Sequence, residues 1–193
     1  SGIIGSSLAD VNGDGLKDII TFNSGNVYVI DRISNNIILT FPLLTSGDPD
    51  VAGLPDITGD GRDEILVGED VYFLSPYLGR VIAYDGATGS GLYTVVDPAP
   101  APVNPVVGPV TDHFGEAIAV IGDVNGNGIV DFVVGASGGG PSTLGVPSPG
   151  RVFVFDGLGT CSNTWFIVIT SKCSLGYFAF SKSVFFIFIP DFI

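Results

Sequence analysis

A short acidic, glycine-rich segment occurs three times in the chain, each time in front of a run of apolar residues. The copies span residues 10–18, 56–64 and 123–131. Each copy has oxygen-bearing side chains at positions 1, 3, 5 and 9, and glycine at positions 4 and 6. This repeat constrains the fold more than any other feature, because it implies that one supersecondary unit is used several times.

Two short apolar runs with turn residues at their ends follow each acidic segment. The first run lies at 26–31, 79–86 and 150–157, and the second lies at 37–41, 92–96 and 165–170. With the apolar residues on either side of the acidic segment, these runs predict four antiparallel strands per repeat. Such a unit is typical of a β-propeller blade. We therefore predict an all-β fold with three propeller-like blades, at about residues 1–45, 46–97 and 113–171, and a partial fourth.

Two segments interrupt or follow the blades. Residues 98–112 are rich in proline, which favours extended structure and excludes a central strand, so we predict a connector there. Residues 172–193 form a hydrophobic, β-prone tail. The tail is interpreted as part of a fourth blade, as a strand donated to a neighbouring subunit, or as an artefactual sequence end. Cys161 and Cys173 would pair if two strands placed them opposite each other.

The charge of the chain excludes several function classes. The net charge is −13, and residues 1–157 hold nineteen acidic and five basic residues, a balance of −14. This surface would repel nucleic acid. No apolar run reaches the roughly 18 residues that cross a bilayer. Carboxylates clustered at a fixed spacing repel one another unless a cation neutralises them.

The acidic segments therefore predict cation sites. Ca²⁺ takes about six to eight oxygen ligands, and the glycines permit the positive φ angles that would bend a loop around it. The simpler alternative for each segment is an ordinary Asn-Gly or Asp-Gly turn, but three matching copies favour up to three Ca²⁺ ions. The loops are not EF-hands, because the glutamate at position 12 is missing. The predicted ligands are Asp10, Asn12, Asp14, the Leu16 carbonyl and Asp18; Asp56, Thr58, Asp60, the Arg62 carbonyl and Glu64; and Asp123, Asn125, Asn127, the Ile129 carbonyl and Asp131. The third loop holds only two carboxylates, so we expect it to bind most weakly.

The third unit resembles an FG-GAP repeat of the integrin α-subunit type. The resemblance rests on Phe114-Gly115, the loop 123–131, the segment 132–137 at the place of the family's Gly-Ala-Pro, and the strand at 150–155. The second unit shares the loop and residues 79–86, and the first shares mainly the loop. The resemblance implies a β-propeller in which the loop between the first two strands of a blade holds Ca²⁺. Such propellers usually close with about seven blades, whereas three are readable here.

These observations predict an extracellular or cell-surface calcium-binding module with a structural, adhesive or self-assembly role, including filament formation. Its expected partners are further copies of the chain, reached through exposed sheet edges and the C-terminal strand, and a protein or glycan ligand. One alternative is a non-catalytic propeller fragment of a larger secreted carbohydrate-active enzyme, and another is a ligand-binding domain that uses the proline-rich connector. We expect no catalytic residues: His113, the single histidine, is predicted to be structural, and Glu69, Asp70, Asp112 and Glu116 lack a defining motif.

Overall fold

The computed structural model describes residues 6–23, 25–43, 49–70, 79–98, 113–136 and 151–160. Within these ranges the chain forms strands and turns and no helix, which confirms the predicted all-β class. None of the described residues belongs to a helix long and apolar enough to cross a membrane. The strands are β1 (Ser6–Ala9), β2 (Asp18–Phe22), β3 (Asn26–Ile30), β4 (Ile37–Pro42), β5 (Asp50–Leu54), β6 (Glu64–Glu69), β7 (Arg80–Tyr84), β8 (Gly91–Val96), β9 (Ala117–Gly122), β10 (Asp131–Ala136) and β11 (Arg151–Phe155).

The strands form three antiparallel sheets, which we call blade 1 (β1–β4), blade 2 (β5–β8) and blade 3 (β9–β11). Neighbouring strands in each sheet are also neighbours in sequence, as predicted for propeller-like blades. The described part of the chain does not close into a ring. The predicted strand at 165–170, the connector from residue 99 onward, the tail at 172–193 and both cysteines lie outside the described residues.

The burial of each strand depends on whether its blade packs against one neighbouring blade or two. In β3 and β7 buried residues alternate with half-buried ones, because successive side chains point to opposite faces of a sheet. All six residues of β6 are buried, because blade 2 is covered on both faces. The first strands of successive blades lie side by side, since β1 contacts β5 and β5 contacts β9.

Two apolar cores join the blades. The first inter-blade core combines Ile20 and Val29 of blade 1 with Ile65 of blade 2. The second inter-blade core combines Leu66 of blade 2 with a group of phenylalanines from blade 3. In that group Phe114 lies with its ring centroid 5.6 Å from that of Phe153 and 5.9 Å from that of Phe155, and Phe132 stacks on Phe155 at 5.5 Å. Burial of these rings supplies much of the attraction between blades 2 and 3.

The Phe114-Gly115 pair depends on a close backbone approach. Gly115 has a φ of +92°, and its carbonyl oxygen lies over Gly68 of β6. A Cβ atom on Gly68 would lie 2.1 Å from that oxygen. Glycine at position 68 therefore lets the segment before β9 reach blade 2, while Phe114 fills the core beside it.

Candidate functional site

The three acidic loops join the first strand of each blade to the second, so they lie at the same end of their sheets. In each loop the position-1 carboxylate accepts hydrogen bonds from the N–H groups of positions 4, 5 and 6. Asp10 accepts them at 2.9, 3.1 and 2.8 Å. Asp56 accepts the equivalent bonds at 2.6, 3.3 and 2.7 Å, and Asp123 accepts them at 2.7, 3.2 and 2.7 Å. The glycines at positions 4 and 6 have φ values between +77° and +87° in all three loops, which directs these N–H groups inward.

Side chains at positions 3 and 5 continue the same pattern. The Oδ1 atom of Asn12 accepts the N–H of position 5 at 2.9 Å, and Asn125 does so at 3.0 Å. Thr58 differs, because its hydroxyl donates instead to Asp56 at 3.4 Å. At position 5 each side chain accepts the N–H of position 7, at 2.8 Å for Asp14 and between 2.8 and 2.9 Å in the other loops. The three loops are thus closed by a nearly identical set of bonds.

The position-9 carboxylates lie beneath the loops and are buried. Asp18 accepts the N–H groups of positions 2 and 3 at 3.1 and 3.3 Å, and the N–H of Arg32 at 3.3 Å. Glu64 and Asp131 accept the equivalent bonds from positions 2 and 3 at 2.8–3.2 Å. Burial raises the pKa of Asp18 and Glu64 above the ordinary value, and these backbone bonds act in the opposite direction. The position-9 side chains therefore anchor the loop backbone.

The pKa values of the position-1 carboxylates in the second and third loops are shifted in the opposite direction. The pKa of Asp56 is lowered mainly by the hydrogen bond from the N–H of Gly61, and the pKa of Asp123 mainly by the bond from Gly128. Backbone donors stabilise the ionised carboxylate. These side chains consequently keep their negative charge in mildly acidic solution.

The donor chemistry of the loops fits a hard cation such as Ca²⁺. The predicted side-chain donors are oxygen atoms, and a carboxylate oxygen that accepts one N–H still has a lone pair for a cation. The loop carboxylates are nevertheless more widely spaced than the ligands of a compact site. Among the described residues, three His, Cys, Asp or Glu ligand atoms within 4.8 Å of one another occur at Asp70, His113 and Glu116, and not in the loops.

The first two loops are also bound to each other. The N–H of Asp10 donates to the Asp63 carboxylate at 2.8 Å, and the N–H of Asp63 donates to the Asp10 carbonyl at 2.8 Å. Lys17 forms an ion pair with the same Asp63 carboxylate. Lys17 and Asp63, at position 8 of the first and second loops, thus connect blade 1 to blade 2.

The third loop has a neighbouring carboxylate that the sequence analysis missed. Asp156, directly after β11, accepts the side-chain amide N–H of Asn125 at 3.3 Å and that of Asn127. Asp156 is buried. The third loop, which has the fewest carboxylates of its own, therefore has the carboxylate of Asp156 beside it. Asp31 and Asp85 occupy the equivalent positions in blades 1 and 2, where they accept N–H groups of the following turn.

A second cluster lies where blade 2 meets blade 3. Asp70 follows β6, and His113 and Glu116 lie on either side of Phe114-Gly115. The Nδ1 atom of His113 lies 2.8 Å from Oδ2 of Asp70. Sequence reasoning could not find this cluster, because Asp70 and His113 are 43 residues apart and belong to no spacing motif.

Comparison with known proteins finds a match for the third blade. The family model for the FG-GAP repeat matches residues 114–155. The third blade is thus similar to an FG-GAP repeat. The matched segment begins at Phe114-Gly115, contains the third acidic loop and ends with β11, so the predicted resemblance is confirmed for this part of the chain. No curated protein matches the chain.

Proposed function

We propose that the chain is an extracellular, calcium-stabilised module of FG-GAP blades with a structural role, and that it assembles through the open face of blade 1. The observation that carries the calcium proposal is the nearly identical hydrogen-bond closure of the three loops, in which oxygen-bearing side chains recur at the same positions. FG-GAP repeats are typically extracellular and are in general non-catalytic structural modules, which supports the location and the class of function.

Each loop would hold its ion through the same positions. Side chains at positions 1, 3 and 5, the carbonyl at position 7 and the carboxylate at position 9 are the proposed donors. When bound, Ca²⁺ supplies positive charge that offsets the repulsion between the carboxylates of one loop. Because the bound ion favours the folded loops, calcium should stabilise the whole stack of blades.

Thermal unfolding with and without calcium tests this proposal. EDTA should lower the melting temperature, and calcium should restore it. In isothermal titration calorimetry, Asp14→Asn and Asp60→Asn should each remove or weaken one class of site, whereas Asp31→Asn, outside the loops, should leave calcium binding unchanged. An unchanged melting temperature in EDTA, together with no heat of calcium binding, would reject the calcium proposal.

The assembly proposal rests on a comparison of equivalent positions in the repeat. Ile19, Ile65 and Phe132 each directly follow the position-9 residue of their loop. Ile65 is fully buried against blade 1, and Phe132 is fully buried against blade 2. Ile19 is 37% exposed, since no described blade precedes blade 1. The face of blade 1 that carries Ile19 is therefore equivalent to the faces of blades 2 and 3 that pack against the blade before them.

Apolar residues continue across this face of blade 1. Leu8 is the cross-strand partner of Ile19 and is 58% exposed. On the other side, Ile19 pairs with Ile30, which in turn pairs with the exposed Ile37. These four residues, which we call the blade 1 stripe, cross all four strands of the sheet. An exposed apolar stripe of this kind marks an interaction surface.

The other end of the stack offers a complementary position. Val124, at position 2 of the third loop, is 49% exposed. Val11, at position 2 of the first loop, is 1% exposed and lies in the first inter-blade core. The face of blade 3 that carries Val124 is therefore equivalent to the face of blade 1 that packs against blade 2. We propose that the blade 1 stripe receives blade 3 of a second copy, a head-to-tail contact that leads to a ring or a filament.

Light scattering across a concentration series tests the assembly. The calcium-loaded chain should associate, and Ile19→Lys should prevent this, because the charge would be buried at the contact. The matched control is Ile33→Lys, which changes an exposed isoleucine in the turn after β3, outside the stripe. A monomer at all concentrations would reject assembly through this face, and the calcium proposal would be unaffected.

A further inference from the structure

We propose that Asp70, His113 and Glu116 form a binding site for a divalent transition metal of the zinc type between blades 2 and 3, separate from the calcium loops. One ligand atom from each of the three side chains lies within 4.8 Å of the other two. The site joins an aspartate of blade 2 to two residues at the start of blade 3, so a bound ion would connect the two blades.

The backbone before β9 brings two of these ligands together. The N–H of Glu116 donates to the carbonyl of His113 at 3.1 Å, which closes a tight turn around Phe114-Gly115. Phe114 is buried in the second inter-blade core, so this turn is held against blade 2. The side chains of His113 and Glu116 are thereby placed beside Asp70 at the end of β6.

The distances between the ligand atoms of the three side chains suit a small ion. Zinc binds nitrogen and carboxylate oxygen at about 2.0–2.2 Å, which places tetrahedral ligand atoms about 3.3 Å apart. The Nδ1 atom of His113 and Oδ2 of Asp70 are already 2.8 Å apart, and the outer limit of the cluster is 4.8 Å. Small changes of side-chain torsion angles would therefore bring the ligands to zinc geometry.

An independent observation also points to a missing ligand. The Oδ1 atom of Asp70 is buried and has no hydrogen-bond partner within the described part of the chain. A buried carboxylate oxygen without a partner is costly, and nearly all such atoms in proteins are satisfied by a donor, water or an ion. The pair between Asp70 and His113 does not use this oxygen, whereas coordination of a cation by the carboxylate would satisfy it.

The donor types favour zinc over calcium. Imidazole nitrogen is a good ligand for zinc, copper and nickel and is not typical of calcium sites. Three protein ligands with a water molecule complete a tetrahedral zinc site, but they are too few for the roughly six to eight oxygens that calcium takes. The Asp70 and His113 side chains are partly exposed, so water has access to the fourth position.

The tag-free chain in saturating calcium provides a test that needs no variant of the site. Because His113 is the single histidine, its two imidazole nitrogens give unambiguous NMR signals. One equivalent of zinc should shift these signals in a saturable manner. Both cysteines should be replaced by serine in this protein, so that thiolates do not compete for the metal. Imidazole signals that stay unchanged at stoichiometric zinc would overturn the proposal.

Variants then assign the ligands. His113→Ala and Asp70→Asn should abolish the calorimetric zinc signal, whereas Asp85→Asn, which alters an exposed turn of blade 2, should retain it. Zinc binding should also survive Asp14→Asn and Asp60→Asn in the calcium loops. Zinc binding that is lost in these loop variants, or retained in folded His113→Ala, would assign the metal to another place and reject the site. Because the calcium proposal does not depend on this cluster, the two can fail independently.

Discussion

The guanidinium of Arg151 lies 2.8 Å from the carboxylate of Asp97, measured from Nη2 to Oδ2. Arg151 begins β11 in blade 3, and Asp97 directly follows β8 in blade 2. The Asp97 side chain is completely buried, whereas Arg151 retains a small exposed area. This ion pair therefore joins two blades at the point where the chain leaves β8.

Replacing Arg151 with methionine should destabilise the protein. The substitution keeps much of the side-chain volume but leaves the buried Asp97 carboxylate without its cation, and breaking a buried pair in this way costs about 3–5 kcal/mol. Urea unfolding in calcium measures the loss of free energy of unfolding. Arg151→Lys keeps the positive charge and should cost clearly less. Equal stability of the methionine variant and the unmodified chain would show that Asp97 is stabilised in another way.

Gly68→Ala should disrupt the contact between blades 2 and 3. The added methyl group would lie 2.1 Å from the carbonyl oxygen of Gly115, a backbone atom that cannot rotate away. Overpacking of this kind typically costs about 1–3 kcal/mol and sometimes more. The control is Gly91→Ala, where the added Cβ meets no atom of the described residues within 4 Å. In urea unfolding, Gly68→Ala should lower the free energy of unfolding more than Gly91→Ala does. Equal losses in the two variants would argue against the close approach.

The calcium-free protein should be most stable in mildly acidic solution. Burial raises the pKa of Asp18 above 3.8 and of Glu64 above 4.5, so their stabilising contribution is present below these values and is lost as pH rises through the raised pKa. Backbone hydrogen bonds lower the pKa of Asp56 and Asp123 below 3.8, so their contribution is present above 3.8 and is lost as pH falls through the lowered pKa.

Melting temperatures in EDTA should therefore pass through a maximum between the lowered pKa of Asp56 and Asp123 and the raised pKa of Asp18 and Glu64, and should decline toward neutral pH. Calcium should reverse that decline, because a cation favours the ionised form of every loop carboxylate. A melting temperature that rises steadily to neutral pH in EDTA would mean that the buried carboxylates do not limit stability.

Much of the fold could be predicted because its causes are local. Glycine at positions 4 and 6, alternating apolar residues and turn residues recur in each unit, and the observed strands lie within a residue or two of those expected. Strand β3, for example, ends at Ile30, one residue before the predicted end. The blade order then follows, because successive antiparallel strands pair with their neighbours in sequence.

Contacts between blades could not be predicted in the same way. Asp70 and His113 meet because Phe114 packs into blade 2, and no local spacing encodes that arrangement. The position of Asp156 shows a second limit. Asp31, Asp85 and Asp156 are equivalent in sequence, yet only Asp156 has a loop with two asparagine side chains beside it, and their amide N–H groups reach its carboxylate. An equivalent residue can thus acquire a different partner when the opposite side chain changes.

Asp156→Asn should weaken calcium binding at the third loop. Asp156 places a negative charge against Asn125 and Asn127, so its removal lowers the attraction of this loop for a divalent cation, and the number of ligand charges helps to set affinity. Calorimetry should show a weaker third class of site with the other two unchanged. The matched control is Asp85→Asn, at the equivalent position in blade 2, where the carboxylate binds its own turn. If both variants bind calcium as the unmodified chain does, Asp156 only orders the asparagine side chains, and the third loop should remain the weakest of the three.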